Sequence, residues 1–349
     1  MITGETTHQL SRLYERRFGA VPSQITPVMG DGSDRHIYRL YSDTGSSVIG
    51  VFGPRREENE AFVSFTRSFR TLGLPVPDIF AYDAEKGIYL ESDLGDTTMY
   101  RWICQNDADS EKCQTMYREI IEWLIKFQVT ARDHVDYSKC YQFPAFLEDA
   151  IQYDLNYFQT SFLSRFARVS YDRYQVQKDF ITFITRLVHA ESGYFLYRDF
   201  QSKNILLVHD HPFFIDYQSG RRGALQYDVA SLLFDANVNL SEAFREQMLY
   251  FYIENVAKYL RIDDKIFVSF YYDFATVRML QALAAFSFLS FDKGKKYFLK
   301  SIPNALQNIQ SLLAKGSILK DLPELRRILE NDLFINPLFD SYRAHICEQ

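Results

Sequence analysis

The chain has 349 residues, of which 47% are hydrophobic and 24% charged, the balance of a globular protein with enough apolar material for a core. Its 30 Phe and 24 Tyr exclude a disordered chain. The net charge of −6 argues against nucleic acid as the main partner, because phosphate binding needs concentrated lysine and arginine. The length predicts two structural lobes.

The sequence predicts a protein with no membrane partner and no metal–thiolate site. The longest apolar stretch, residues 280–291, is shorter than the roughly 20 residues that a membrane-crossing helix needs, and the first ten residues lack the order of a secretory signal. The four cysteines do not have the paired spacing of a zinc site. We therefore expect free thiols and a cytoplasmic location, and the oligomeric state stays open.

The first part of the chain, to about residue 94, predicts a small sheet with one helix. Residues 37–41, 47–52 and 87–90 have the alternating or β-branched character of strands. Between the last two, residues 57–72 carry apolar side chains at helical spacing and are followed by Gly73, a helix stop.

Beyond Gly95 the pattern is mostly helical, with apolar residues three and four apart. Helices are predicted at 116–131, 146–166, 174–192, 229–234, 241–260, 264–291, 302–314 and 322–332. A strand-rich island, residues 194–217, interrupts them. The expected fold class is α+β, with an antiparallel-sheet lobe at 1–94 and a larger helical lobe at 95–349 that contains a β-hairpin.

The strand-rich island contains the candidate functional residues. Residues 205–208 and 213–215 are apolar strands joined by a four-residue turn, so that Asn204, before the first strand, lies beside Asp216, after the second. Asp199 enters the same space from the preceding loop. Because buried carboxylates need cations or donors, and oxygen ligands suit a hard cation, the pattern predicts a Mg²⁺ site.

The alternative to a functional site is a purely structural role for these residues. Asp and Asn are common in loops because they cap turns, and any one of the three alone would indicate no more than that. Three of them converging between strands this apolar favours a functional site.

The pattern Asp199, Asn204, Asp216 resembles the catalytic and metal-binding loops of protein-kinase-like phosphotransferases, nearest to the aminoglycoside phosphotransferase and choline kinase group. Residues 197–204 and 215–218 are most similar to cell-wall amino-sugar kinases, which phosphorylate the anomeric hydroxyl of N-acetylmuramate or N-acetylglucosamine. The resemblance implies a bilobal kinase-like fold, with a nucleotide-binding lobe at 1–94 and a catalytic, acceptor-binding lobe at 95–349. Asp199 would accept or orient the proton of the attacking hydroxyl, and Asn204 and Asp216 would hold Mg²⁺ against the phosphates of ATP.

The resemblance also suggests roles for residues around these loops. Asp228 would brace the catalytic loop through backbone amides, a role compatible with a helix N-cap. Asp235 lies in a region that borders the acceptor in related sugar kinases. Lys203 and Arg221 are candidates for phosphate or substrate contacts, against the alternative that Lys203 is an exposed loop lysine and that Arg221 and Arg222 are a solvated pair.

In the first lobe, the segment containing Gly30, Gly32, Ser33 and Arg35 lies where a kinase places its nucleotide-covering loop, since glycines let backbone amides approach phosphates. Backbone groups of Glu91 and Asp93 would contact adenine at the hinge.

The strand Ser47–Phe52 lacks the lysine that protein kinases pair with phosphates, a trait shared by the amino-sugar kinases. Arg55 or Arg56 is a candidate substitute, and Glu60 a candidate partner. The sequence does not distinguish ATP from GTP as the donor.

Several alternatives stay open. An aminoglycoside or choline-type phosphotransferase fits the same motifs, and the missing lysine favours a catalytically inactive nucleotide-binding module. A metal hydrolase that uses residues 209–211 is a weaker hypothesis, because this turn is far from the converging carboxylates. Neither a GxxxxGK[ST] phosphate loop nor a GxSxG elbow occurs.

Overall fold

The structure is a computed structural model that describes residues 4–28, 34–106, 108, 110–315 and 318–333. Of the residues predicted to contact the nucleotide, Gly30, Gly32 and Ser33 lie outside the described residues.

The first lobe is built on a five-stranded antiparallel sheet of spatial order β1-β2-β3-β5-β4. Its strands are β1 (Gln24–Val28), β2 (His36–Tyr41), β3 (Ser47–Phe52), β4 (Ile79–Asp83) and β5 (Ile88–Ser92). The strands predicted at 37–41, 47–52 and 87–90 are therefore present. The two edge strands, β1 and β4, were not predicted; β1 contains a proline, which an edge strand tolerates but which weakens its sequence pattern.

Two helices cover opposite faces of this sheet, whereas one was expected. The predicted helix is α2 (Arg56–Thr71). The additional helix, α1 (Gly4–Phe18), buries Leu10, Leu13 and Tyr14 against the outer face of the sheet. This helix was not predicted because most of its residues are polar. The spacing of the three apolar residues is nevertheless that of one helical face.

The second lobe is helical. Its helices are α3 (Met99–Cys104), α4 (Glu111–Ile125), α5 (Glu148–Tyr157), α6 (Arg173–Leu187), α7 (Leu225–Leu233), α8 (Glu242–Val256), α9 (Asp264–Phe291), α10 (Ile302–Lys315) and α11 (Pro323–Arg327). Helices α4, α5 and α11 continue as the π-helical segments Lys126–Thr130, Phe158–Ala167 and Ile328–Asp332. The eight predicted helices are all found, α3 was missed, and the lobe boundary between residues 94 and 95 stays a prediction.

Helix α9 is long and apolar enough to cross a membrane by length and composition, but 72% of its most apolar window is buried inside the protein. It lies against α7 and α10 with side chains such as Phe274, Leu280 and Leu283 in the core. This is the environment of a core helix.

The predicted strand-rich island, residues 194–217, forms parts of two short antiparallel strand pairs. Strand β6 (Tyr194–Leu196) pairs with β9 (Arg221–Gly223), and β7 (Ile205–Val208) pairs with β8 (His211–Phe214). The predicted four-residue turn between β7 and β8 is wrong, because strand pairing already resumes at His211. The turn has two central residues, His209 and Asp210, both with positive φ, as the tight hairpin turns that match strand twist require.

Aromatic side chains join the two lobes. The ring of Phe69, on α2, packs edge-on against Phe127, Phe195 and Tyr217 at centroid distances of 4.9, 5.2 and 5.1 Å. The hydroxyl groups of Thr66 and Tyr217 are 2.5 Å apart. Helix α2 is thereby fixed against the segment that follows the hairpin.

Candidate active site

The β7–β8 hairpin brings together the two residues that flank it. The Asn204 amide nitrogen donates to the Asp199 carbonyl oxygen at 2.9 Å and lies 3.4 Å from the Asp216 carboxylate. The Ile215 N–H donates to the Asn204 carbonyl at 3.1 Å, which extends the ladder to the hairpin's open end. The three residues singled out from the sequence therefore lie at one place.

The backbone before Asp199 is held by a buried carboxylate. Asp228, on α7, is fully buried and accepts hydrogen bonds from the N–H groups of Tyr197 at 2.7 Å and Arg198 at 2.9 Å. Burial raises the pKa of Asp228 to about 7, and the two backbone donors oppose that rise. Asp228 thus holds the backbone immediately before Asp199, which is the geometry expected of the predicted brace.

Two further contacts fix the same loop. The Tyr197 hydroxyl donates to the Ile215 carbonyl at 2.6 Å, which links the segment before Asp199 to the segment before Asp216. Arg198 has a φ of +85°, and its guanidinium binds Asp154 through two hydrogen bonds of 2.7 Å. Asp154 is 2% exposed, so this ion pair is internal.

Asp216 and Asn204 have the chemistry of a divalent-cation site. The Asn204 amide nitrogen is directed at the Asp199 carbonyl and the Asp216 carboxylate, so the amide oxygen is the atom of this side chain that could bind a cation. The Asp216 side chain is 38% exposed, so it is only partly buried. This partial burial and the nearby charge of Asp199 raise the pKa of Asp216, while Arg35 opposes the rise. A carboxylate that is costly to leave uncompensated, next to a second hard oxygen, fits Mg²⁺.

The structure gives no support to the hydrolase hypothesis. His209, Asp210 and His211 are exposed at the hairpin turn, at the end of the strands remote from Asp216. Within the described ranges, no group of three or more His, Cys, Asp or Glu side chains is placed to hold a metal ion.

Arg35 is the cation that lies beside Asp216. Its side chain is 8% exposed, and its Nη1 is 3.7 Å from the Asp216 carboxylate. The charge of Glu58, on α2, acts on it as well. Arg55 and Arg56, the candidates for the missing lysine, instead form surface ion pairs with Glu58 and Glu60.

The hinge segment contributes two acidic side chains with different surroundings. Asp93 accepts hydrogen bonds from Arg39 at 2.6 Å and from Ser47 at 2.6 Å. Glu91 has a carboxyl oxygen, Oε2, that is shielded from solvent and has no hydrogen-bond partner among the described residues. Burial raises the pKa of Glu91 to about 8, against the opposing charge of Arg35.

Two predicted contact residues have other partners in the structure. The Lys203 ammonium lies over the rings of Tyr100 and Phe298 at 5.3 and 5.5 Å. Asp235 is buried and accepts hydrogen bonds from Ser202 and Asn237, so that it braces the loop before β7. Their predicted contacts with phosphate or substrate stay predictions.

The predicted solvated arginine pair is wrong for one of its members. Arg222 is exposed and lies over the ring of Tyr137 at 4.0 Å. Arg221 is only 2% exposed. The alternation along β9 separates them, because successive residues of a strand point to opposite faces.

Sequence reasoning missed Arg278, whose guanidinium lies 3.9 Å from the Asp199 carboxylate with a side chain 8% exposed. The signal was present: Asp273 and Arg278 are charged residues inside an otherwise apolar stretch of α9. Buried charges of this kind need partners, so each points to a specific contact.

The chain matches the sequence pattern of the Phosphotransferase enzyme family over residues 24–262. A relative from Pseudomonas aeruginosa, named N-acetylmuramate/N-acetylglucosamine kinase, is 25% identical over 317 residues, which cover 87% of this chain and 88% of the relative. A relative of the same name from Neisseria meningitidis is 23% identical and covers 82% of this chain and 84% of its own length.

Solved structures share the fold at lower identity. The choline kinase LicA from Streptococcus pneumoniae aligns with a TM-score of 0.56 and 13% identity, covering 87% of this chain and 99% of its own. An ADP-bound aminoglycoside phosphotransferase aligns with a TM-score of 0.55 and 12% identity, covering 88% and 98%. The bilobal kinase-like fold expected from the sequence is therefore confirmed.

The raised pKa of Glu91 predicts a pH-dependent stability effect. The folded protein holds this proton up to about pH 8, whereas the unfolded chain loses it near the ordinary value of 4.5, so the stability contributed by Glu91 falls as pH rises between these values. Glu91→Gln imitates the protonated side chain, and its melting temperature should rise relative to the native protein as pH increases from 5 to 8. The exposed Glu85→Gln is the control, and a melting difference independent of pH would contradict the assignment.

Proposed function

The chain belongs to the phosphotransferase enzyme family, and from its site we propose an ATP-dependent kinase that phosphorylates a hydroxyl of an amino sugar. The observation that carries this proposal is the convergence of Asp199, Asn204 and Asp216 at the open end of one hairpin. Phosphoryl transfer needs little more from a protein than positioned groups and neutralised charge, and this site provides both.

The acceptor is proposed from the relatives. Proteins named N-acetylmuramate/N-acetylglucosamine kinase share more than four fifths of their length with this chain, which supports an amino sugar and, more finely, its anomeric hydroxyl. The alternative of an aminoglycoside or choline-type acceptor is supported by fold similarity at 12 to 13% identity. We therefore favour the amino sugar.

Within this proposal, Asp199 accepts or orients the proton of the attacking hydroxyl. Asn204 and Asp216 hold Mg²⁺ through an amide and a carboxylate oxygen. Bound there, the ion neutralises negative charge on the phosphates. Asp228 keeps the loop in place through the backbone of residues 197 and 198.

The nucleotide is gripped by the first lobe. We assign to Arg35 the charge that a strand lysine supplies in protein kinases, because it lies beside Asp216 and feels the charge of Glu58. We assign the covering of the phosphates to the glycine-rich segment that contains Gly30, Gly32 and Ser33. Contact with the base is assigned to the backbone of Glu91 and Asp93. The reaction is assigned to the cytoplasm.

The inactive-module alternative loses its main support once Arg35 is considered. Its argument was that no cation replaces the missing lysine, whereas Arg35 brings a shielded guanidinium to within 3.7 Å of the Asp216 carboxylate. Asp199, Asn204 and Asp216 are also all present and in contact, which an inactive binding module does not require.

The first test is an assay of ADP release with Mg²⁺ across amino sugars, simple sugars, choline and aminoglycosides. The native protein should turn over with an amino sugar, and Asp199→Asn should lower kcat by about 100-fold or more, since it removes the proton acceptor. Asp149→Asn, an exposed residue on α5, is the matched control. Background rates with every acceptor, while ATP still binds, would establish the inactive module instead.

A second test concerns Arg35. Arg35→Gln should raise the KM for ATP by about 30-fold, because a shielded charge that faces phosphate is lost, and Arg35→Lys should restore part of the affinity. Arg56→Gln, which removes an exposed arginine paired with Glu60, should leave the KM for ATP unchanged. An unaltered KM in Arg35→Gln would rule out the phosphate grip.

A further inference from the structure

We propose that Arg221 anchors an anion subsite in the acceptor pocket beside Asp199, and that this subsite selects a sugar that carries a carboxylate. The inference rests on the proposed sugar kinase function. It goes further by specifying that the preferred acceptor is negatively charged. Of the two sugars named for the relatives, N-acetylmuramate carries a carboxylate and N-acetylglucosamine does not.

Arg221 is a buried cation whose charge the protein does not balance. Its Nε donates to the Ser219 carbonyl at 3.0 Å, which is a neutral acceptor, and the residue is 2% exposed. Among the described residues, no carboxylate lies within ion-pair distance of its guanidinium. Burial and the like charge of Arg198 lower the pKa of Arg221 to about 10.

The nearby carboxylate is already committed to another cation. Asp154 binds Arg198 through two hydrogen bonds of 2.7 Å, and Arg198 also donates to the Tyr227 hydroxyl at 2.6 Å. A charge buried without a partner is costly. The arrangement therefore leaves Arg221 as a cation whose counterion would come from a ligand.

Arg221 shares its surroundings with Asp199. In the β6–β9 pair Arg221 lies opposite Leu196, three residues before Asp199, and the Tyr141 hydroxyl is 3.3 Å from the Ser219 hydroxyl, in the segment that leads to Arg221. The ring of Phe143 lies 5.8 Å from the Arg221 guanidinium. These aromatic residues come from the segment between α4 and α5, so the surroundings of Arg221 belong to the helical lobe.

The pocket is cationic apart from Asp199 itself. Arg278 lies 3.9 Å from the Asp199 carboxylate and is held by a hydrogen bond of 2.9 Å to Ser231. The Arg198–Asp154 pair is neutral, and the neighbouring carboxylates Asp216 and Glu58 lie beside Arg35 and Arg55, so that Arg221 and Arg278 together exceed the single charge of Asp199. A polycationic acceptor would be repelled here, whereas a carboxylate would be attracted.

The nucleotide side of the cleft has its own cation. Arg35 acts on the charge of Asp216, together with Asp199, whereas the groups acting on Arg221 are Arg198, Asp154, Tyr141 and Tyr227. We therefore place Arg35 on the side of the proposed ion and phosphates, where it lies 3.7 Å from Asp216, and Arg221 on the acceptor side, where it lies near the ring of Phe143. This separation distinguishes Arg221, as a residue that selects the acceptor, from a second residue that binds phosphate.

The experiment compares kcat and KM for N-acetylmuramate and N-acetylglucosamine in the native protein, Arg221→Gln and Arg221→Lys. Arg221→Gln should lower kcat/KM for N-acetylmuramate by about 30-fold or more, chiefly through KM, and change that for N-acetylglucosamine by less than about threefold. Arg221→Lys should retain part of the preference. Arg222→Gln, at the exposed neighbouring position, should behave like the native protein with both sugars.

An equal loss of kcat/KM with both sugars in Arg221→Gln would overturn the subsite, because it would indicate that Arg221 binds phosphate or has a structural role. An unchanged ratio of kcat/KM would overturn it too. Should Arg221→Gln not fold, Arg221→Lys decides by the same ratio. A native protein that phosphorylates neither sugar would refute the proposed function itself, and the subsite with it.

Discussion

A two-residue turn sets the distance between the groups on which the site depends. With His209 and Asp210 at positive φ, β7 and β8 pair from end to end, and the residues on either side of the hairpin meet at its open end. Asn204 and Asp216 are twelve positions apart in sequence yet in contact. The placement of the two proposed oxygen ligands thus follows from backbone hydrogen bonding, because a slip of the strand register would separate them.

Buried charges organise the surroundings of this hairpin. Asp228 holds the catalytic loop by its backbone, the Arg198–Asp154 pair fills the space behind it, and Arg35 approaches from the sheet lobe. Each charge either has a partner within the protein or faces the cleft. Arg35 faces the cleft beside Asp216, and Arg221 has no carboxylate at ion-pair distance among the described residues, which is the basis for the roles given to these two arginines.

The parts of the site that could be predicted were those encoded locally. Asp199, Asn204 and Asp216 lie within eighteen residues and are framed by apolar strands, and β3, α2 and α9 have strong patterns of their own. Arg35 was predicted to lie in the nucleotide-covering segment, but its contact with Asp216 and the position of Arg278 beside Asp199 could not be predicted, because they depend on how the sheet and α9 pack against the hairpin. Helix α1 and strand β1 were not predicted for a related reason. Each has a weak sequence pattern of its own and is stabilised by its contacts with the rest of the sheet.

The central claim is that Asn204 and Asp216 ligate one divalent ion, and its most direct test is a double-mutant cycle on Mn²⁺ affinity measured with ADP present. The account predicts that Asn204→Ala and Asp216→Ala each weaken Mn²⁺ binding, and that the double variant departs from additivity by more than about 0.5 kcal/mol. Native affinity in either single variant, or strictly additive losses, would contradict a shared site.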